Sequence, residues 1–124
     1  MQESGNINKG VYGENIAEGY LRAKGYEILA SRFKCPYGEI DLIAMHNGVL
    51  VFAEVKFRKT TKAGFGAEAV TKQKQRRIIQ TALHYIHRNN VPCDAYRFDV
   101  LDIIGREFYE INHIENAFFA DGSY

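Results

Sequence analysis

The stretch VLVFAEVKF at 49–57 constrains the fold more than any other part of the chain. Side chains along a strand alternate between faces, so Val49, Val51, Ala53, Val55 and Phe57 share one face and Leu50, Phe52, Glu54 and Lys56 the other. Both faces are apolar up to Glu54. A strand of this kind is covered on both sides, which places it in the middle of a sheet packed between helices. The flanking sequence supplies those layers. Residues 9–24 have helical spacing, with Gly13, Ala17 and Leu21 stepping by four and Gly25 at the end. Residues 26–33 and 40–45 read as strands, and the Asn47-Gly48 pair favours a tight hairpin between the second of them and 49–57. A loop spans 59–66. A long helix then runs over 67–89, with Val70, Ile78, Ile79, Ala82, Leu83 and Ile86 as its apolar stripe and Asn90 and Pro92 as its stop. Two more strands, 96–104 and 108–114, are separated by Gly105. The predicted order is α-β-β-β-α-β-β, an α/β or α+β domain with a mixed central sheet flanked by helices.

At 124 residues the chain is long enough for one domain with a proper core, here 9–120 behind a loose tail at 1–8. Hydrophobic residues make up 46% of it, which excludes disorder, yet the longest apolar run is the five residues 49–53, far short of a membrane helix. No apolar stretch opens the sequence, so no signal peptide is expected, and Cys35 and Cys93 have neither CxxC spacing nor a neighbouring His. A cytoplasmic protein with reduced thiols is the expectation. The net charge is only +1, but its distribution is uneven. Residues 56–77 hold eight basic side chains (Lys56, Arg58, Lys59, Lys62, Lys72, Lys74, Arg76, Arg77) against Glu68 alone, whereas 94–124 holds seven acids and two arginines. A nucleic-acid-facing side with a solvated back would have this asymmetry, although a charged helix face is often only solvated.

Two acids interrupt the apolar strands. Glu54 arrives with Lys56 on one face of the central strand, and Asp41 shares its face of the preceding strand with Ile43 and Met45. Asp41 lies six positions before Asn47 and Glu54 seven after it, so antiparallel pairing brings the two carboxylates together. Two such charges ~4 Å apart repel by roughly 4 kcal/mol at an effective dielectric near 20. A divalent cation removes that penalty, and oxygen donors of this type suit Mg²⁺ or Mn²⁺. Glu14 falls beside the apolar stripe of the first helix, where it could join the pair or simply complement the helix dipole. Three acids and Lys56 beside a basic segment suit phosphodiester hydrolysis, in which a metal polarises the phosphate and activates water.

These residues also carry a resemblance. GEIDLIA at 38–44, VFAEVKFR at 51–58, FGAEAV at 65–70, KQRR at 74–77 and RFDV at 97–100, with Gly13-Glu14, Ala17, Tyr20-Leu21 and Gly25 before them, resemble the YraN family of bacterial proteins over about 10–118. That family looks like a member of the PD-(D/E)XK nucleases, the restriction-endonuclease-like group that includes archaeal Holliday-junction resolvases. The resemblance implies that Asp41 and Glu54 are metal ligands, that the carbonyl of Val55 helps bind the metal, and that Lys56 is the catalytic lysine. It implies that Glu14 completes the site, and that Lys74 and Gln75 face substrate from the second helix. Ile40 stands where the superfamily's name has proline, as is ordinary among resolvase-like members. Glu39 shares a face with Asp41 and either supports it or is only exposed.

The leading expectation is therefore a Mg²⁺- or Mn²⁺-dependent endonuclease acting on DNA, branched or structured DNA included. Arg58, Lys59, Lys62, Lys72, Lys74, Gln75, Arg76 and Arg77 would contact the nucleic acid. The rivals are a non-catalytic nucleic-acid-binding module of the same fold and a hydrolase of small phosphoesters. A homodimer would suit cleavage of two strands, with Phe118 and Phe119 as an exposed apolar edge. His84 and His87 read as surface residues, Asp99 as structural, and His46 and His113 as side chains without partners.

Overall fold

A computed structural model describes residues 9–59 and 70–118. Helix α1 (Lys9–Ala23) precedes strands β1 (Glu27–Cys35), β2 (Gly38–His46) and β3 (Val49–Arg58), and helix α2 (Lys72–Asn89) precedes β4 (Ala95–Gly105) and β5 (Tyr109–Phe118). The five strands form one sheet in sequence order, β1-β2-β3-β4-β5. Neighbours run antiparallel except β3 and β4, which are parallel because α2 carries the chain back between them. This is the mixed α+β arrangement expected, with the 49–57 strand at its centre. At the β2–β3 turn Asn47 and Gly48 have φ of 51° and 80°, the left-handed pair that a two-residue hairpin requires.

The alternation read from β3 is realised. Leu50 and Phe52 enter the α2 side with Ile43, Ile78 and Phe98. Val51 and Ala53 enter the α1 side with Ala17, Leu21, Leu42 and Leu101. Each helix therefore seals one face of the sheet. Among the described residues no helix is long and apolar enough to cross a membrane.

Three expectations change. The second helix begins at Lys72, with Thr71 as N-cap accepting the Lys74 amide at 3.1 Å, so Val70 is buried ahead of the helix and 67–69 lie outside the described residues. Its buried face runs through Gln75, Ile78, Ala82 and Tyr85, which leaves Leu83 48% exposed, one step round the helix from that face. Phe118 is only 1% exposed and stacks on Phe98 at 4.9 Å, because β5 continues to it past the left-handed Asn116, φ 54°. It offers no exposed edge, and Phe119 lies outside the described residues.

The histidines expected to lack partners also have them. His113 Nε2 lies 2.7 Å from Asp99 Oδ2 and its Nδ1 3.1 Å from the Tyr20 hydroxyl, tying β5 to β4 and α1. Asp99 is fully buried and also accepts from Arg97 Nε at 3.0 Å and from the Asn116 amide at 3.2 Å. His46 stacks on Tyr26 at 4.0 Å, and Tyr26 accepts from Arg97 at 2.7 Å.

Candidate active site

The sheet opens around Asp41. On one side the β1–β2 register, shifted at Ile28/Ala30, is unchanged between Ser31↔Leu42 and Phe33↔Ile40, but Arg32 and Asp41 between them form no pair. On the other, β2–β3 pairing stops at Leu42↔Ala53, one position before Asp41 would meet Glu54. The Val55 amide, released from the ladder, donates to Asp41 Oδ2 at 2.7 Å. The carboxylate thus replaces a strand partner and is fixed at the split.

Glu54 follows Leu50 and Phe52 on the α2 face and is 4% exposed. Lys74, in the first turn of α2, brings its Nζ to 3.4 Å from Glu54 Oε1. The other oxygen, Oε2, is buried and accepts no hydrogen bond among the described residues. Burial and the neighbouring Asp41 charge push the Glu54 carboxyl up to about 7, against the pull of Lys74 and Lys56. Burial likewise raises Asp41, opposed by the Val55 amide and Lys74. Burial and the nearby Lys74 ammonium lower Lys56. Burial pulls Lys74 down more than any single neighbour lifts it, but the charges of Glu54 and Asp41 and its hydrogen bonds with Lys56 and Glu54 together hold it above its ordinary range.

Glu14 reaches this group from α1, where its carboxyl is raised by burial and by Asp41, and lowered by Arg32. Its approach depends on Gly13. A Cβ at that position would stand 2.9 Å from Phe57 Cβ, so only glycine lets the first turns of α1 lie this close to the end of β3. Among the described residues no three His, Cys, Asp or Glu side chains are already gathered as if round an ion. The acids meet in pairs, Glu14 with Asp41 and Asp41 with Glu54. Beside them a cleft of about 370 Å³ is lined by Gly38, Glu39, Asp41, Glu54, Lys74 and Arg77, among others.

The remaining predicted residues are distributed unevenly. Glu39 is exposed, and its charge acts on both Asp41 and Glu14. Lys59, Lys72, Arg76 and Arg77 are exposed, whereas Lys62 lies outside the described residues. Gln75 is 1% exposed and donates to the Val70 carbonyl at 3.0 Å, so it belongs to the start of α2 and not to a surface. Arg58 forms a two-pronged pair with Asp102, Nε to Oδ1 at 3.1 Å and Nη2 to Oδ2 at 2.7 Å. Sequence reasoning missed Arg32, whose Nε lies 3.6 Å from Glu14 Oε1. Nothing in the strand-like ASRFK stretch signals that its third member, Arg32, would be turned toward helix α1.

A mixed five-stranded sheet with one helix on each face, split at an acid pair that two lysines attend, defines a small α+β domain with a polar cleft at the split. Residues 13–103 match the family described as "Uncharacterised protein family UPF0102", and the chain belongs to that family, the YraN-like one to which its motifs point. It is 47% identical over 121 residues to a UPF0102 protein of Lachnoclostridium phytofermentans, covering 94% of this chain and 100% of the relative. A UPF0102 protein of Clostridium novyi is 43% identical over 118 residues (91% and 98% of the two chains). One from a Sulfurihydrogenibium species is 43% identical over 110 residues (89% and 93%). The matched span contains Glu14, Asp41, Glu54, Lys56 and Lys74.

Proposed function

We propose that this protein is a divalent-metal-dependent endonuclease of the PD-(D/E)XK type acting on DNA, branched or structured DNA included. The observation that carries the reading is the Asp41–Glu54 pair, in which Glu54 Oε2 lies buried without a hydrogen-bond donor among the described residues and Lys74 supplies part of the missing positive charge. Hard oxygen donors in that state fit Mg²⁺ or Mn²⁺. Asp41 and Glu54 would hold the ion, with the Val55 carbonyl and Glu14, directly or through water, completing its surroundings. A bound ion would supply Lewis-acid polarisation of the phosphate and a lowered pKa for water.

The chain's own residues do the rest. The Val55 amide holds Asp41 through Oδ2 where the residue lines the cleft. Lys56, half-buried with a lowered pKa, is a short-range donor for the attacking water or for charge building on the phosphate. Lys59, Lys72, Arg76 and Arg77 offer the neighbouring phosphates a cationic approach. A homodimer would place two such sites on opposite strands.

The pairwise meeting of the acids, with Lys74 already on Glu54, favours a second reading, a nucleic-acid-binding module without cleavage. One gel assay separates them. Wild-type and Glu54→Gln proteins are incubated with Mn²⁺ and then Mg²⁺ on duplex, single-stranded, flap and four-way-junction DNA. Metal-dependent cutting that vanishes in Glu54→Gln is the expected result. No cutting, with a salt-sensitive band shift retained by the variant, selects the binding module.

A further inference from the structure

Four non-glycine residues among those described have positive φ, and three of them, Asn47, Asn90 and Asn116, are the type that tolerates it. The fourth is Arg32, at φ 54° inside β1. A left-handed residue within a strand forms a local irregularity that re-aims its side chain. Here the irregularity falls opposite Asp41, where the β1–β2 ladder is interrupted. The guanidinium is turned toward Glu14 of α1 rather than left along the strand's outer face.

Fold stability does not account for this arrangement. The Arg32 side chain is 47% exposed and its Nε stands 3.6 Å from Glu14 Oε1, beyond hydrogen-bonding distance. Exposed pairs at such separations contribute little to folding, while the left-handed backbone works against it. Glu14 is the only ionic partner of Arg32 among the described residues. A guanidinium presents five donors in a planar fork that matches the paired oxygens of a phosphate, and most of that fork faces solvent here. It lies at the edge of a group of carboxylates that would otherwise repel a phosphate chain.

Resting on the nuclease reading, we infer that Arg32 is a substrate-contacting residue that binds a backbone phosphate of the nucleic acid beside Glu14 and Asp41. The contact is to phosphate and not to a base, so it is independent of sequence.

The test is the salt dependence of binding, measured by fluorescence anisotropy with a fluorescein-labelled single strand and a labelled duplex in EDTA. Three full-length proteins are compared: wild type, Arg32→Asn and Arg32→Lys. Asparagine accepts the left-handed backbone and deletes the charge; lysine keeps the charge and loses the fork. Loss of one phosphate contact makes the slope of log K against log salt shallower by about 0.7 for single strands and about 0.9 for duplex. That change is expected in Arg32→Asn, with several-fold weaker binding at low salt and an unchanged melting temperature. Arg32→Lys should keep the slope and bind less tightly than wild type. An unchanged slope in Arg32→Asn, while wild type binds well, overturns the assignment and leaves the nuclease reading standing. A lowered melting temperature in both variants with wild-type slopes assigns Arg32 to the fold and overturns it as well. Failure of the wild-type protein to bind any nucleic acid removes the nuclease reading itself, and the Arg32 assignment with it.

Discussion

The backbone amide of Val55 donates to Asp41 Oδ2 at 2.7 Å, so a side chain of β2 takes the place that a β2 carbonyl would hold in a continuous ladder. The bond has a structural and a chemical side, and two substitutions separate them. Asp41→Ala leaves a part-buried N–H without its acceptor and is expected to lower stability by about 1–3 kcal/mol. Asp41→Asn keeps an acceptor oxygen and the side-chain volume. It should unfold close to wild type in urea and lose metal-dependent cleavage. A full loss of stability in Asp41→Asn would mean that the charge, and not the acceptor, holds the split open.

The Glu54 carboxyl carries a pH signature. Its ordinary value of 4.5 applies to the unfolded chain, and in the fold it is pushed up to about 7. The folded state therefore holds the proton more tightly. Stability is complete below the unfolded value, declines as pH rises from about 4.5, and levels off above about 7. The expected loss is roughly 3 kcal/mol, shared with the coupled Asp41 and Lys74 charges. Glu54→Gln, which cannot ionise, should be more stable than wild type at pH 8 and lose that advantage at pH 4. Urea titrations at several pH values measure this. Under the metal reading, Mn²⁺ should raise the wild-type melting temperature at pH 8 and leave that of Glu54→Gln unmoved; equal shifts in both would place the ion elsewhere.

Two glycines of α1 make opposite predictions. At Gly19 a Cβ meets nothing within 4 Å, so Gly19→Ala should stabilise the helix by about 0.5–1 kcal/mol. At Gly13 the new methyl would stand 2.9 Å from Phe57 Cβ, a position the sheet backbone fixes. Gly13→Ala gains the same helical preference but must push α1 from β3. A net loss of about 1–2 kcal/mol is expected, with weakened function because Glu14 moves with the helix. Equal gains in both variants would show that α1 can shift freely.

These relationships were not equally legible in the sequence. The alternation of β3 announced a two-sided strand, and counting from Asn47 brought Asp41 to Glu54, because hairpin register follows from turn length. Strand irregularities defeated the same counting elsewhere. The left-handed Asn116 carries β5 on to a buried Phe118, and the left-handed Arg32 departs from strand alternation; neither residue differs in type from ordinary strand or turn residues. Partners distant in sequence were equally hidden. His113 meets Asp99 and Tyr20 only because β4, β5 and α1 pack together. Charge was the least informative signal. Lys74 and Arg58 looked alike as members of a basic run, yet one lies on Glu54 and the other on Asp102.

Arg58 therefore separates a count of basic residues from a phosphate-binding surface. Its guanidinium is engaged at both prongs by Asp102, whose side chain is 1% exposed, and its own side chain is 19% exposed. Arg58→Ala would leave a buried carboxylate without its main counter-charge, and removing one partner of such a pair costs about 3 kcal/mol or more. Lys59 and Arg76 are exposed, and truncating either should change stability by less than about 0.5 kcal/mol. The binding measurement should divide them the other way. Lys59→Ala and Arg76→Ala should each flatten the salt dependence of DNA binding by about one contact. Arg58→Lys, which keeps a charge near Asp102, should leave that slope unchanged while it lowers the melting temperature. A flattened slope in Arg58→Lys at unchanged stability would return Arg58 to the nucleic-acid surface.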